Sequence, residues 1–164
     1  MSDRFATHNV TNQVPPLTDV NLFASDTALN DAVTREGAAA SARTLNAFGL
    51  TAGSQESREL AILANRHTPE LSTHDRYGRR LDVVTYHPAY HDLMRRSCAE
   101  GLTNAVWPHL GPAGGTPEKS PHVVRAAALF LAAQMEPGRC CPLTMTNAAV
   151  PVLLKNETLA RDWL

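Results

Sequence analysis

Aromatic residues are scarce in this sequence, at 5% of positions, and there are only three cysteines. With so few rings and 24 alanines, the best helix formers, the composition argues against a β-sandwich, whose strands draw on aromatic and β-branched side chains. Cys98, Cys140 and Cys141 make neither an even framework nor a C-x-x-C pair, and adjacent cysteines bond each other only with strain, so all three read as reduced thiols. An excess of charge of one sign is also missing. Fifteen basic against sixteen acidic residues give a formal net charge of -1, without the positive surplus that holds a chain to phosphate backbones or anionic lipid. No apolar run is long enough to cross a bilayer: the best, 123–133, carries Arg125 and falls well short of about 20 residues. The start (Met1, Ser2, Asp3, Arg4) is charged and polar, with no apolar block ending in small residues, so no secretory signal is read and a cytoplasmic location is expected.

What is present is 164 residues, about one domain by length, of which 43% are hydrophobic, enough for an ordinary core. Residues 1–24 read as an extended arm, because Asn9, Asn12, Pro15 and Pro16 break any helical period. Residues 25–164 read as a helical domain. Ser25 or Asp26 caps a first helix that stops at Gly37, and a second is expected over Ala38–Phe48 with Leu45 and Phe48 inward and Gly49 as its end. Ser54 opens a third, with half a capping box at Ser57, a stripe of Leu60, Leu63 and Ala64, and Pro69 as the stop. The turn Tyr77-Gly78-Arg79 predicts a small hairpin within 71–86. His87-Pro88 starts a fourth helix, with Tyr90, Leu93, Met94 and Cys98 on its apolar face. A Pro- and Gly-rich loop spans 108–121. Ser120-Pro121 then opens the most apolar helix, with Val123, Val124, Ala127, Phe130, Leu131 and Gln134 in its apolar set and Pro137-Gly138 as its stop. Thr144 or Thr146 caps a sixth helix that runs through Leu154 and carries a proline kink at Pro151, and Asn156 caps a seventh. The expected fold is therefore all-α, with six to seven helices and one small β-hairpin. Trp163 and Leu164 end the sequence in mid-pattern, which leads us to expect a piece of a longer polypeptide.

Few constellations carry chemistry. His87 and His91 stand at i and i+4, the spacing with which two imidazoles on one helix face share a metal, but Pro88 occupies the place of the zinc-protease glutamate. Either they bind zinc as part of a hydrolase, or His87 caps the helix and His91 packs on Tyr86 or Tyr90. Cys140 and Cys141 are either reactive thiols beside Arg139 or buried small hydrophobes. Gly111 to Thr116 is glycine-rich yet lacks a phosphate-loop pattern. Arg35-Glu36 reads as a solvated or interface salt bridge. Thr144-Met145-Thr146 places two hydroxyls at an expected helix start, where free N–H groups serve as ordinary capping partners or receive an anion or carbonyl oxygen. No catalytic set and no metal site emerges from residue types alone.

Several phrases in order carry a resemblance: P-P-L at Pro15 to Leu17, N-L-F-A-S-D from Asn21, A-V-T-R-E-G-A from Ala32, Leu63-Ala64-Asn65 with Pro69-Glu70-Leu71, Gly78-Arg79-Arg80-Leu81-Asp82 with Val84, His87-Pro88-Ala89 with His91, and C-P-L-T-M-T from Cys141 followed by A-A-V-P-V-L-L. From about Val10 to Leu164 the chain resembles the N-terminal region of the AidB-like, adaptive-response branch of the acyl-CoA dehydrogenase family. The resemblance implies a parent of three parts: this helical domain, a middle β domain and a C-terminal helical bundle. It implies FAD between the second and third, a catalytic glutamate on the bundle, and removal of the hydrogens alpha and beta to an acyl thioester carbonyl, with drift in this branch towards protecting DNA from alkylation. By that reading this stretch holds no catalytic and no cofactor-binding residue and does not bind FAD alone. Thr144, Met145 and Thr146 fall by position on one wall of the acyl pocket. The implied partners are the parent's other domains and further copies in a homo-oligomer, with DNA contacted only through basic residues of the C-terminal region. Two departures from the branch stand out, Ala39-Ala40 where an aromatic is common and the 108–121 loop. A rival reading is a free-standing helical binding or oligomerisation module that associates through the arm and the Trp163 face.

Overall fold

The computed structural model of the chain describes residue 5, residues 7–107 and residues 120–163. Most of the Pro/Gly-rich loop, including Gly111 to Thr116, lies outside the described residues, as does Leu164. Among them are seven α-helices and one two-stranded antiparallel hairpin: α1 Thr27–Arg35, α2 Ala42–Ala52, α3 Gln55–Arg66, β1 Glu70–His74, β2 Arg80–Thr85, α4 Pro88–Ala99, α5 Pro121–Met135, α6 Cys140–Leu153 and α7 Glu157–Trp163. This is the all-α domain with a small hairpin expected above.

Local chemistry explains most of the boundaries. The Asp26 carboxylate accepts from the Leu29 N–H at 2.8 Å, Ser54 Oγ from Ser57 N–H at 3.2 Å, and Asn156 Oδ1 from Leu159 N–H at 3.1 Å, so each helix begins where a short polar side chain reaches a free donor. Ser57 does not close a capping box; its own hydroxyl donates to the Thr51 carbonyl at 2.6 Å and locks the α2–α3 turn. In the hairpin, Leu71 pairs with Val84 and Ser72 with Val83, and Gly78 takes the left-handed backbone (φ 78°) that the turn requires. An extra residue on β2, with Asp82 at φ 49°, bulges that strand.

The second helix departs from expectation. Ala39–Ser41 form a 3-10 turn, and α2 proper starts at Ala42 and runs through Gly49 to Ala52. Gly49 is a contact site and not an end. A Cβ there would stand 2.5 Å from Asn21 Oδ1 and 2.6 Å from the Phe23 nitrogen, so only glycine lets the arm lie this close to the helix. Leu22 N–H donates to the Gly49 carbonyl at 3.1 Å, and Asn21 donates to the Asn46 carbonyl and side chain at 3.1 and 3.0 Å while its own Oδ1 accepts from Phe23 and Ala24 N–H. The arm is thus docked from residue 20 onwards, whereas Val10, Val14 and Leu17 are exposed.

Phe23, Leu45, Phe48, Leu93, Leu102, Leu131 and Leu143 share one core cluster, with α5 running through its centre. Burial of such side chains, at about 1.5–3 kcal/mol each, is what holds the helices together. Three stripes differ in detail from the sequence reading. On α4 the buried positions are Ala89, Leu93 and Ser97, and Cys98 faces outward. On α3 they are Ser57 and Ala61, with Leu63 exposed. On α5 Phe130 is half exposed while Ala128, Ala132 and Met135 are inside. Small residues, Ala61 on α3, Ala89 and Ser97 on α4 and Ala128 and Ala132 on α5, thus share the interior with Leu93, Leu131 and Met135.

Candidate functional site

The sequence places its candidate wall on α6, and the structure moves the start of that helix. α6 begins at Cys140, so Cys140-Cys141-Pro142 is its first turn and not a link. Thr144, Met145 and Thr146 lie beyond the four free N–H groups of the helix start, which removes both the capping and the anion-receiving roles. Thr146 Oγ1 donates instead to the Pro142 carbonyl one turn back, at 3.0 Å. All three side chains face outward, Met145 with 68% of its surface exposed.

That outer face is unusual for so apolar a helix. In C-C-P-L-T-M-T-N-A-A-V-P-V-L there is no charge, yet only Leu143 and Val150 are buried. Between them Asn147 is pinned to the 102–107 turn: its Nδ2 donates to the Thr103 carbonyl at 3.2 Å and its carbonyl accepts from Trp107 Nε1 at 3.2 Å. The opposite side presents Met145, Ala148, Ala149 and Val152, the last 66% exposed. Helix α7 buries nothing, and Trp163 is 74% exposed.

The N-terminus of α6 is held by a residue that the sequence reading treated only as a neighbour of Cys140. Arg139 is fully buried. Its Nε donates to Ser97 Oγ on α4 at 2.8 Å, its Nη1 to the Glu136 carbonyl at 3.0 Å and its Nη2 to the Ala132 carbonyl at 3.0 Å. The last two acceptors are carbonyls at the C-terminal end of α5, where a cation complements the helix dipole; that of Ala132 also accepts the Glu136 N–H at 3.0 Å. The Glu136 carboxylate, 5% exposed, accepts from Gly138 N–H at 2.7 Å and Arg139 N–H at 3.0 Å and stands 3.7 Å from the guanidinium. Burial pulls the Arg139 guanidinium below its ordinary range, opposed by Glu136 and Cys140. One signal was available: E-P-G-R is the only charged pair between two apolar helices, where an ion must find partners or not be buried at all. The same burial raises the Cys140 thiol, with Arg139 opposing it. Cys140 is half-buried and Cys141 exposed, so the buried-hydrophobe reading fails for Cys141.

His87 and His91 do not share a helix face. His87 lies outside α4 with an extended backbone (φ -63°, ψ 143°), its Nδ1 accepts from Ala89 N–H at 3.1 Å, and its ring stacks on His67 with centroids 4.7 Å apart. His91 points its edge at Tyr86 and Tyr90, at 5.9 and 5.6 Å. Capping and packing account for both. Among the described residues no three His, Cys, Asp or Glu side chains are gathered to hold a metal. Arg35 and Glu36 form an exposed pair at 2.8 Å. Cavities among the described residues are small. One of about 230 Å³ lies between the end of α3, the base of the hairpin, α4 and the α5–α6 link, and another of about 210 Å³ lies between α1 and α5. No helix among the described residues is long and apolar enough to cross a membrane.

Residues 12–164 match the family described as the adaptive response protein AidB N-terminal domain. Over 149 residues the chain is 46% identical to the putative acyl-CoA dehydrogenase AidB of Escherichia coli (strain K12), which covers 91% of this chain but only 26% of the relative's length. Its fold is similar to that of Caenorhabditis elegans ACDH-11, solved in complex with C11-CoA, with a TM-score of 0.73 at 21% identity over 95% of this chain and 27% of that one. The helical architecture and the match over nearly the whole sequence agree: the chain belongs to the AidB N-terminal domain family, the helical N-terminal domain of an acyl-CoA dehydrogenase-like fold.

Proposed function

We propose that this chain forms the amino-terminal helical part of an FAD-dependent, acyl-CoA dehydrogenase-like protein of the cytoplasm, and that the outer face of α6 is one wall of the acyl pocket. The observation that carries this reading is the mismatch on α6: a helix without charge that buries only Leu143 and Val150 leaves Met145 and Val152 for an apolar neighbour. Thr144 and Thr146 flank Met145 on that wall and offer hydroxyls at its edge. The likeness to a protein solved with an acyl-CoA supports the choice of ligand class, and the name of the Escherichia coli relative supports the reaction class.

FAD supplies a hydride acceptor when bound to such a protein. By the family resemblance FAD lies between the parent's other two parts, so no step of flavin chemistry is assigned to this chain. Its part is to shape and dry one side of the pocket. Self-association and contact with the parent's other domains are assigned to the exposed apolar faces, and DNA contact to basic residues of the remainder, in keeping with the near-neutral charge here.

The test uses the protein extended by the segments that correspond to the rest of its Escherichia coli relative. Met145→Trp is expected to weaken binding of a long-chain acyl-CoA by about tenfold, the cost of overfilling an apolar wall, while a short-chain acyl-CoA binds as before. Equal affinities of wild type and variant for both thioesters would show that α6 does not line the acyl site.

A further inference from the structure

A second candidate site, apart from the acyl wall, lies beside the α5–α6 link. The 230 Å³ cavity beside the hairpin base is walled by Ala64, Pro69 and the rings of Tyr86 and Tyr90, and its polar lining includes Asn65 and Glu136. The two tyrosine rings stack on each other, 4.4 Å apart at 19°, so each keeps only its outer face and edge for a ligand. Asn65 donates its Nδ2 to the Ala61 carbonyl at 2.8 Å, which leaves its side-chain carbonyl as an acceptor. Glu136 is the only acidic residue lining the cavity, and no lysine or arginine lines it; His67 is the one other titratable ring besides the tyrosines. The buried Arg139 guanidinium pairs with Glu136 at 3.7 Å, while its hydrogen bonds go to Ser97 Oγ and to the Ala132 and Glu136 carbonyls. Each Glu136 oxygen has accepted one backbone N–H and retains a lone pair.

We propose that this cavity binds a small organic ammonium ion, with its apolar body on the Tyr86–Tyr90 surface and its charged nitrogen directed at the Glu136 carboxylate. Aromatic faces and a buried carboxylate both favour a cation, and both act more strongly where water is thinned. Burial first, then Tyr86 and Glu136, push the Tyr90 phenol above its ordinary range. Nothing in the acyl-pocket reading requires this site, and the two stand or fall separately.

The experiment titrates the chain with three probes of nearly one shape and different charge: phenethylamine, phenethyl alcohol and phenylacetate. Binding is measured by ligand-observed NMR and located by the ring signals of labelled tyrosine. Phenethylamine is expected to bind about tenfold more tightly than the alcohol, since a charge-assisted hydrogen bond replaces a neutral one, and phenylacetate is expected to bind most weakly. The shifts are expected at Tyr86 and Tyr90 and not at Tyr77 in the hairpin turn. Glu136→Gln should erase the preference for the ammonium. Because that change also removes a cap from α6, Tyr86→Leu serves as the second variant; it leaves the Glu136–Arg139 pair intact and should weaken phenethylamine binding by about threefold. Equal binding of the amine and the alcohol, no binding of the amine, or shifts confined to Tyr77 would each overturn the proposal.

Discussion

Helices α5 and α6 are nearly equal in length, 15 and 14 residues, and are the two most apolar in sequence, but the fold treats them in opposite ways. α5 is enclosed by α1, α2, α3 and α6 and buries Ala127, Ala128, Leu131, Ala132 and Met135. α6 touches α5 and α7 and buries Leu143 and Val150. An apolar helix is a demand for a neighbour, and the source of that neighbour is not written in the helix. For α5 it is the rest of this domain. For α6 the proposed function assigns that place to the acyl ligand and the parent's other parts.

The sharpest way to break this contrast is at the joint between the two helices. Arg139→Leu leaves Glu136 buried without its cation and strips partners from Ser97 and two carbonyls, and is expected to cost about 3–5 kcal/mol in urea unfolding. A loss below about 1 kcal/mol would mean that α6 is positioned by packing alone. Next comes the centre of α5, where Leu131→Ala should cost about 3 kcal/mol by emptying a fully enclosed site, read as a lowered midpoint of thermal unfolding. Gly49→Ala probes the other contact of the core, the docked arm; its Cβ would overlap Asn21 and Phe23, with an expected cost of about 1–3 kcal/mol and faster proteolysis near residue 20. The smallest effect belongs to α6 itself. Met145→Ser should change the stability of this chain by less than about 0.5 kcal/mol, because the side chain is already in water. A cost close to that of Leu131→Ala would abolish the distinction between the two helices.

Helix starts were largely legible. Asp26, Ser54, His87-Pro88 and Asn156 work through a donor two or three residues away, so sequence neighbours suffice to decide them. The hairpin turn at Gly78 was legible for the same reason. The misread positions all answer to distant partners. Gly49 reads as a stop until the arm is laid across it, and Ser97 displaces Cys98 from the interior because Arg139, 42 residues on, needs its hydroxyl. Thr144 and Thr146 look like caps only while the Cys140-Cys141-Pro142 turn is taken for a link. Thr144, Met145 and Thr146 are exposed all the same, since exposure depends on the face of the helix and not on where the helix begins. The charged pair Glu136–Arg139 left a trace between two apolar helices, but the cavity beside it was not legible, because four separate segments meet there.

The amino-acid order by itself determined the class of fold, the caps at Asp26, Ser54, His87 and Asn156, the hairpin and the family, all of which rest on contacts within a turn or on the order of short phrases. Only the tertiary structure decided which apolar faces are satisfied within this domain and which remain open. It also decided that one buried arginine joins α4, α5 and α6. Burial is a property of what lies across space, and residues far apart in the chain supply it.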